Sequence, residues 1–247
     1  MSSSSSSSNQ PKVYLILGPN DSGRRALLLD FILDADDLGL GSVLYFKHKS
    51  EKPSSMDAEL AKVPHLTIAD WSVEACKIKH DKITTPANSL FFVAPSSVDP
   101  SDIIESLKGW LSKNNCQLTR IITVAHCTLI SENPSSKAWY EACMHFSDIV
   151  LLGRRASLNP KWVGDFTKKY EKQFRPTRFE IIKKDKVANP ADILDSRSYR
   201  NSLYFDTLIP IEEDEFEENL PEDVKPDIYI ERLENGKRSK PIPLIDN

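Results

Sequence analysis

Along this chain, short apolar runs alternate with longer stretches in which apolar and polar residues are mixed. "KVYLIL" (Lys12 to Leu17) is β-branched and aliphatic and stops at Gly18, which predicts a strand followed by a turn. "RRALLLDFILDADDL", from Arg24, has the length and apolar content of a largely buried helix. Further apolar runs predict strands at "SVLYF" (Ser42 to Phe46), "HLTIA" (His65 to Ala69), "SLFFVA" (Ser89 to Ala94), "RIITVA" (Arg120 to Ala125) and "DIVLLG" (Asp148 to Gly153). Between them lie predicted helices at Ser101 to Asn114, with Asp99 and Ser101 as caps, and at Ser135 to Phe146. Strands apolar on both faces and separated by helices call for a doubly wound, mostly parallel sheet in a three-layer α/β/α arrangement. Beyond Arg155 the pattern predicts a helix over "NPKWVGDFTKKYEKQF", a short strand at "RFEIIK", an exposed acidic linker at "EEDEFEENLPEDVKPD" and a late edge strand at "DIYIERL".

Composition adds boundaries to this picture. A chain of 247 residues, 40% hydrophobic, can enclose one substantial core with tails. The expected division is a disordered serine-rich leader over 1–11, a single α/β domain over 12–208 and an acidic tail over 209–247. No apolar run approaches bilayer-spanning length and the chain opens on serines, so a cytoplasmic protein without a membrane partner is expected. Cys76, Cys116, Cys127 and Cys143 form no CxxC pair, which gives no sign of a disulfide framework or a thiolate zinc site; no metal site is expected.

Charge is unevenly placed. Residues 209–247 hold twelve acids against five Lys or Arg, whereas 153–186 hold eleven Lys or Arg against four acids. No base-stacking motif accompanies the basic stretch, so it reads as a solvated face rather than a nucleic-acid surface.

The segment after the first strand carries the candidate chemistry. Gly18, Pro19, Asn20, Asp21, Ser22, Gly23, Arg24 and Arg25 match the glycine spacing of GxxxxGK[ST] between strand and helix. In an intact loop the backbone N–H groups and helix N-terminus hold phosphate, the lysine reaches the terminal phosphates and the hydroxyl ligates magnesium. Arg24 keeps the charge of the lysine as a bulkier planar fork; Arg25 removes the hydroxyl. The candidate phosphate-binding set is therefore Gly18, Asn20, Asp21, Ser22, Gly23, Arg24 and Arg25, with magnesium ligation impaired. The plainer alternative is a strand-to-helix turn and nothing more.

Other constellations are weaker. Cys76 and His80 fall on one face if their segment is helical, but two ligands do not make a site. His126 and Cys127 are adjacent on a predicted strand end and so point to opposite sides, which argues against a nucleophile and base pair. Trp71, Trp110, Trp139 and Trp162 read as packing residues. Arg154 and Arg155, at a strand's carboxyl end, join Arg24 and Arg25 as a candidate anion-attracting rim.

Taken in order, the segments from about Lys12 to Leu158 resemble the CobW-type GTPases, P-loop proteins related to HypB and UreG. "SSMDAELAKV" resembles that family's "giDaeLl", and "DWSVEACKI" stands where the family places its metal-binding CxCC, with only Cys76 retained. "SLFFVAPSSVDP" resembles the Walker B region "iiiEtsGlaDP", with Ala94 at the glutamate, Ser97 at the glycine and Asp99-Pro100 kept. "RIITVAHCTLI" is similar to "vvtvVDa..l", with Ala125 and His126 at its valine and aspartate. "YEACMHFSDIVLLGRRASL" is similar to "..Qi..ADrivlNKtDl", with Gly153, Arg154, Arg155 and Ala156 at the guanine-reading NKxD. The resemblance implies a P-loop NTPase-type fold of GTPase descent in which GTP hydrolysis is lost, and a protein that acts by binding a partner protein or a phosphate-bearing ligand. It leaves two alternatives: a nucleotide-binding metallochaperone with a divergent site, binding GTP or ATP weakly, or a structural subunit with no ligand.

Overall fold

The computed structural model describes residues 10–83, 85–206 and 226–245. Its elements are β1 (Lys12–Leu17), α1 (Arg24–Leu33), β2 (Val43–His48), α2 (Ser55–Leu60), β3 (Leu66–Glu74), β4 (Lys77–His80), β5 (Ser89–Ala94), α3 (Pro100–Asn114), β6 (Gln117–His126), α4 (Cys127–Glu132), α5 (Lys137–Phe146), β7 (Ile149–Gly153), α6 (Pro160–Gln173), β8 (Arg178–Ile181) and α7 (Pro190–Ile193). The strands form one sheet in the order β4-β3-β2-β5-β1-β6-β7-β8, in which every pairing is parallel except β3 with β4.

Strand alternation divides the core into two layers. Val13, Leu15 and Leu17 of β1 face α3, α5 and α6, whereas Tyr14 and Ile16 face Leu27, Leu28 and Phe31 of α1. β5 is buried along its whole length because helices cover both of its faces. This is the expected doubly wound, mostly parallel α/β fold, and the strand–loop–helix from β1 to α1 lies near its middle. From β1 the chain moves to β2 on one side; from β5 it crosses to β6 on the other. The carboxyl end of β1 is thus the point where winding direction reverses, the place where open α/β sheets present their crevice.

Several elements differ from expectation. The segment holding Cys76 and His80 is not helical: it is the β3–β4 hairpin, with Ala75 and Cys76 in left-handed backbone at the turn and His80 on β4 against Phe46 and Trp110. Cross-strand pairing of Trp71 with His80 and Val73 with Ile78 outweighs the local pattern. "DIYIERL" is not an edge strand. Asp227 opens a turn, and Tyr229 packs beside His145 and Phe146. Residues 226–245 lie on the α3 and α5 layer: Ile242 and Ile245 join the core, and Arg232 and Arg238 both bond Glu105. The leader expected over 1–11 falls outside the described residues as far as residue 9, as does most of "EEDEFEENLPEDVKPD". Among the described residues, no helix is long and apolar enough to cross a membrane.

Candidate functional site

The loop from Gly18 to Gly23 leaves the buried end of β1 and turns into α1. Its two glycines answer to different constraints. A Cβ on Gly18 would lie 2.8 Å from the Val124 carbonyl oxygen of the neighbouring strand β6. Gly23, the N-cap of α1, has φ 99°, and a Cβ there would lie 2.6 Å from an Asp185 carboxylate oxygen. Asp21 is held in left-handed backbone at φ 61°. The Ser22 hydroxyl is enclosed on the inner side of the loop and meets no protein partner.

Arg24 turns inward. Only 4% exposed, it runs beside Gly18 towards the carboxyl end of β5. Its guanidinium takes Glu51 with both nitrogens, Nη1 to Oε1 at 2.6 Å and Nη2 to Oε2 at 3.2 Å. It also donates to the Ala94 carbonyl at 2.5 Å and to the Pro19 carbonyl at 3.2 Å. Burial pulls its pKa down and the Glu51 carboxylate pulls it back up. The Glu51 side chain, just after β2, is fully enclosed. A charged pair this deep holds only because each ion satisfies the other; either alone would be strongly destabilising.

Arg25 follows the same logic at the rim. Its Nη1 donates to both oxygens of Asp57 at 2.7 and 2.9 Å, and its Nη2 donates to the Lys52 carbonyl at 2.7 Å. Asp57 is itself set by α2, where Ser54 and Asp57 form a capping box. Arg154, just past β7, donates from Nε to the Asp21 carbonyl at 2.8 Å and pairs with Asp185 at 2.7 Å, clamping the loop from the other side. These pairings bear on the expected anion-attracting rim. Three of its four arginines face carboxylates, and Arg155 turns away towards α6. The loop carries the charges, but local carboxylates that sit far off in sequence have neutralised them.

What remains open beside the loop is a cleft of about 260 Å³, lined by Gly23, Arg24, Arg25, Ser54, Arg154 and Asp185. The donor set does not suit a magnesium-bound triphosphate. Where a metal-ligating hydroxyl belongs stands Arg25, itself paired with Asp57; Ala94 offers no carboxylate; and Glu51 is already bidentate on Arg24.

The other candidate residues are structural. Asp99 caps α3 by accepting from the Ser101 N–H at 2.7 Å, with Pro100 as the first helical residue. His126 caps α4 through its ring, accepting from the Leu129 N–H at 3.1 Å, and burial lowers its pKa. Burial pushes the neighbouring Cys127 thiol up to about 12, so the two do not form a nucleophile and base. Cys76 lies near Asp102 and Glu105 rather than His80, but Arg232 and Arg238 already occupy those carboxylates. The residue that sequence reasoning missed is Glu51. Its one signal is an acid between Ser50 and Lys52 past a strand end, which looks solvated in sequence.

Sheet order, central strand–loop–helix and winding reversal define a doubly wound, mostly parallel α/β protein with a strand-to-helix loop at its switch point. No family model matches the sequence, and no curated protein matches it. Among solved structures the chain is similar to the Zn(II)-bound YjiA GTPase from E. coli, at 12% identity and a TM-score of 0.45 over 76% of this chain. It is similar also to a Zn(II)-bound triple mutant of YjiA GTPase, at 13% identity and a TM-score of 0.45 over 76% of this chain. In both cases the match spans 61% of the other chain.

Proposed function

We infer that this chain is a P-loop-type protein that does not turn over nucleotide and acts by binding a protein partner. The observation that carries the reading is Arg24. At the position of the phosphate-reaching lysine, it is buried in a bidentate pair with Glu51 and tied to the ends of β1 and β5. Releasing it towards a phosphate would leave the enclosed Glu51 with only the longer 3.5 Å contact to Arg25, a cost that an incoming anion would have to offset. Erosion of the GTPase pattern at Arg25, Ala94 and Ala156 points the same way, since it touches magnesium, the Walker B position and the base reader together.

A second reading, weak magnesium-independent binding of the phosphates of GTP or ATP, draws support from the cleft at the N-terminus of α1. Phosphate release from GTP and ATP, with and without magnesium, should stay at background, and calorimetric titration should give no magnesium-dependent binding. Magnesium-dependent turnover that disappears in Arg24→Ala would defeat the main reading. Binding of GTP, ATP and pyrophosphate alike, within about an order of magnitude and without magnesium, would favour the second.

A further inference from the structure

At the far edge of the sheet, away from the loop, β8 has one free side. Arg178 and Ile182 donate their N–H groups to the Asp148 and Leu152 carbonyls on the β7 side. By strand alternation the N–H groups of Phe179 and Ile181 face outward, and they meet no backbone acceptor among the described residues. An unpaired edge of this kind is a template for another strand. The Ile181 side chain stands 46% exposed on the face of β8 that borders α6.

Beside this edge, between β8 and α6, runs a groove of about 450 Å³ in which Arg155, Lys168 and one acid, Glu171, surround Val163, Gly164 and Ile181. Two of its residues have no internal explanation. Gly164 sits mid-helix, where glycine weakens the element, yet a Cβ there would meet nothing within 4 Å. Packing inside the chain therefore does not require the glycine, whereas close approach by a second backbone would. Arg155 is half-buried; its Nε is shut off from water and bonds to nothing. Around them, Lys161, Lys168 and Lys172 on α6 and Arg175 just past it are exposed and make no ion pair with the described residues; they stand among the exposed acids Asp165 and Glu171, and Lys183 and Lys184 continue the charge past the end of β8.

We propose that the α6–β8 groove docks an extended acidic segment of a partner protein, which adds as a strand to β8. The open amides of Phe179 and Ile181 supply the backbone register. An apolar side chain of the guest lies on Ile181 and Val163 over Gly164, and its carboxylates meet Arg155 and Lys168. The excess of cations over Asp165 and Glu171 selects an acidic guest, and the groove with its strand edge selects an extended one. This deepens the partner-binding reading above, on which it rests, by naming the surface.

The test uses the full chain and a fluorescein-labelled peptide of alternating glutamate and valine, followed by anisotropy and by amide hydrogen exchange. The expected result is saturable binding that protects the Phe179 and Ile181 amides, with a peptide carrying lysine in place of glutamate binding at least about tenfold more weakly. Gly164→Leu, which fills the groove without meeting a neighbour, should abolish binding while thermal unfolding shows an intact fold. Arg155→Gln should weaken binding about tenfold. Equal binding of the lysine peptide, or binding without new protection on β8, overturns the proposal. So does displacement of the peptide by duplex RNA at lower concentration, which would make the surface a nucleic-acid face. Self-association that Gly164→Leu abolishes, with no peptide binding, would assign the groove to a second copy and overturn it too. Nucleotide turnover at the loop would defeat the reading of the previous section and leave these outcomes unchanged.

Discussion

The loop end and the α6 edge of this molecule are both rich in cations, and they treat them in opposite ways. At the loop, Arg24, Arg25 and Arg154 each meet a carboxylate, from Glu51, Asp57 and Asp185. Along α6 and just past its end, Lys161, Lys168, Lys172 and Arg175 meet none among the described residues. The difference teaches which positive charge is structural and which is open to a partner. A buried guanidinium must be satisfied within the fold, because removing it from water uncompensated is expensive; an exposed lysine is satisfied by water and can exchange that water for a guest. Charge count alone does not separate the two ends; the pairing that the fold creates does.

The sharpest way to break the comparison is Glu51→Ala. With Arg24 left buried and unpaired, unfolding in urea should show a loss of about 3–5 kcal/mol, and joint replacement by Arg24→Met and Glu51→Leu should lose much less. A single-site loss below about 1 kcal/mol would mean that the pair behaves like a surface bridge and that the contrast between the two ends is wrong.

Next in size is a pH effect beside the same pair. Burial, with Arg24 nearby, lowers the His48 pKa to about 4, and its ring stands edge-on to Trp71. The folded chain favours the neutral ring, so as pH falls the unfolded chain takes up the proton first. Stability should therefore be complete above about pH 6.5 and fall progressively down to about pH 4, by roughly 3 kcal/mol from this group. Unfolding measured across that range should be flatter in His48→Phe than in the native chain; equal slopes would remove His48 from the argument.

A smaller loss is expected from Asp57→Asn, which weakens both the Arg25 pair and the α2 capping box. About 1 kcal/mol should be lost, and less in high salt. Smallest, and opposite in sign, is Gly164→Ala: in open space on a helix it should stabilise the chain by up to about 1 kcal/mol, visible as a higher Tm. A lower Tm would show that the glycine has a packing role inside the chain, and would remove one reason for reading the groove as a docking surface.

The sheet was legible because its strands are buried on both faces. "KVYLIL", "SLFFVA" and "DIVLLG" are apolar throughout, and each became a central parallel strand within a residue of its expected bounds. The first half of β3 was legible in "HLTIA", but its continuation into the hairpin with β4 was not, because the edge strand β4 needs only one apolar face and its cross-strand partners come from tertiary pairing. The candidate loop was legible as a spacing of glycines, and its position at the winding reversal bears out the strand–loop–helix context. The state of its arginines was not, since Arg24 and Glu51 are 27 residues apart and Arg154 lies 133 residues from Asp21.

By itself, then, the sequence determined the layer architecture, the place of the loop and the presence of an arginine rather than a hydroxyl at position 25, because each follows from local periodicity or from the identity of one residue. Only the tertiary structure decided that Arg24 faces inward onto Glu51, that Arg154 clamps the loop and that the cations of α6 stand unpaired beside an open strand edge. The physical reason is that the fate of a charge depends on desolvation and on its nearest opposite charge, and both are set by which distant segments the fold brings together.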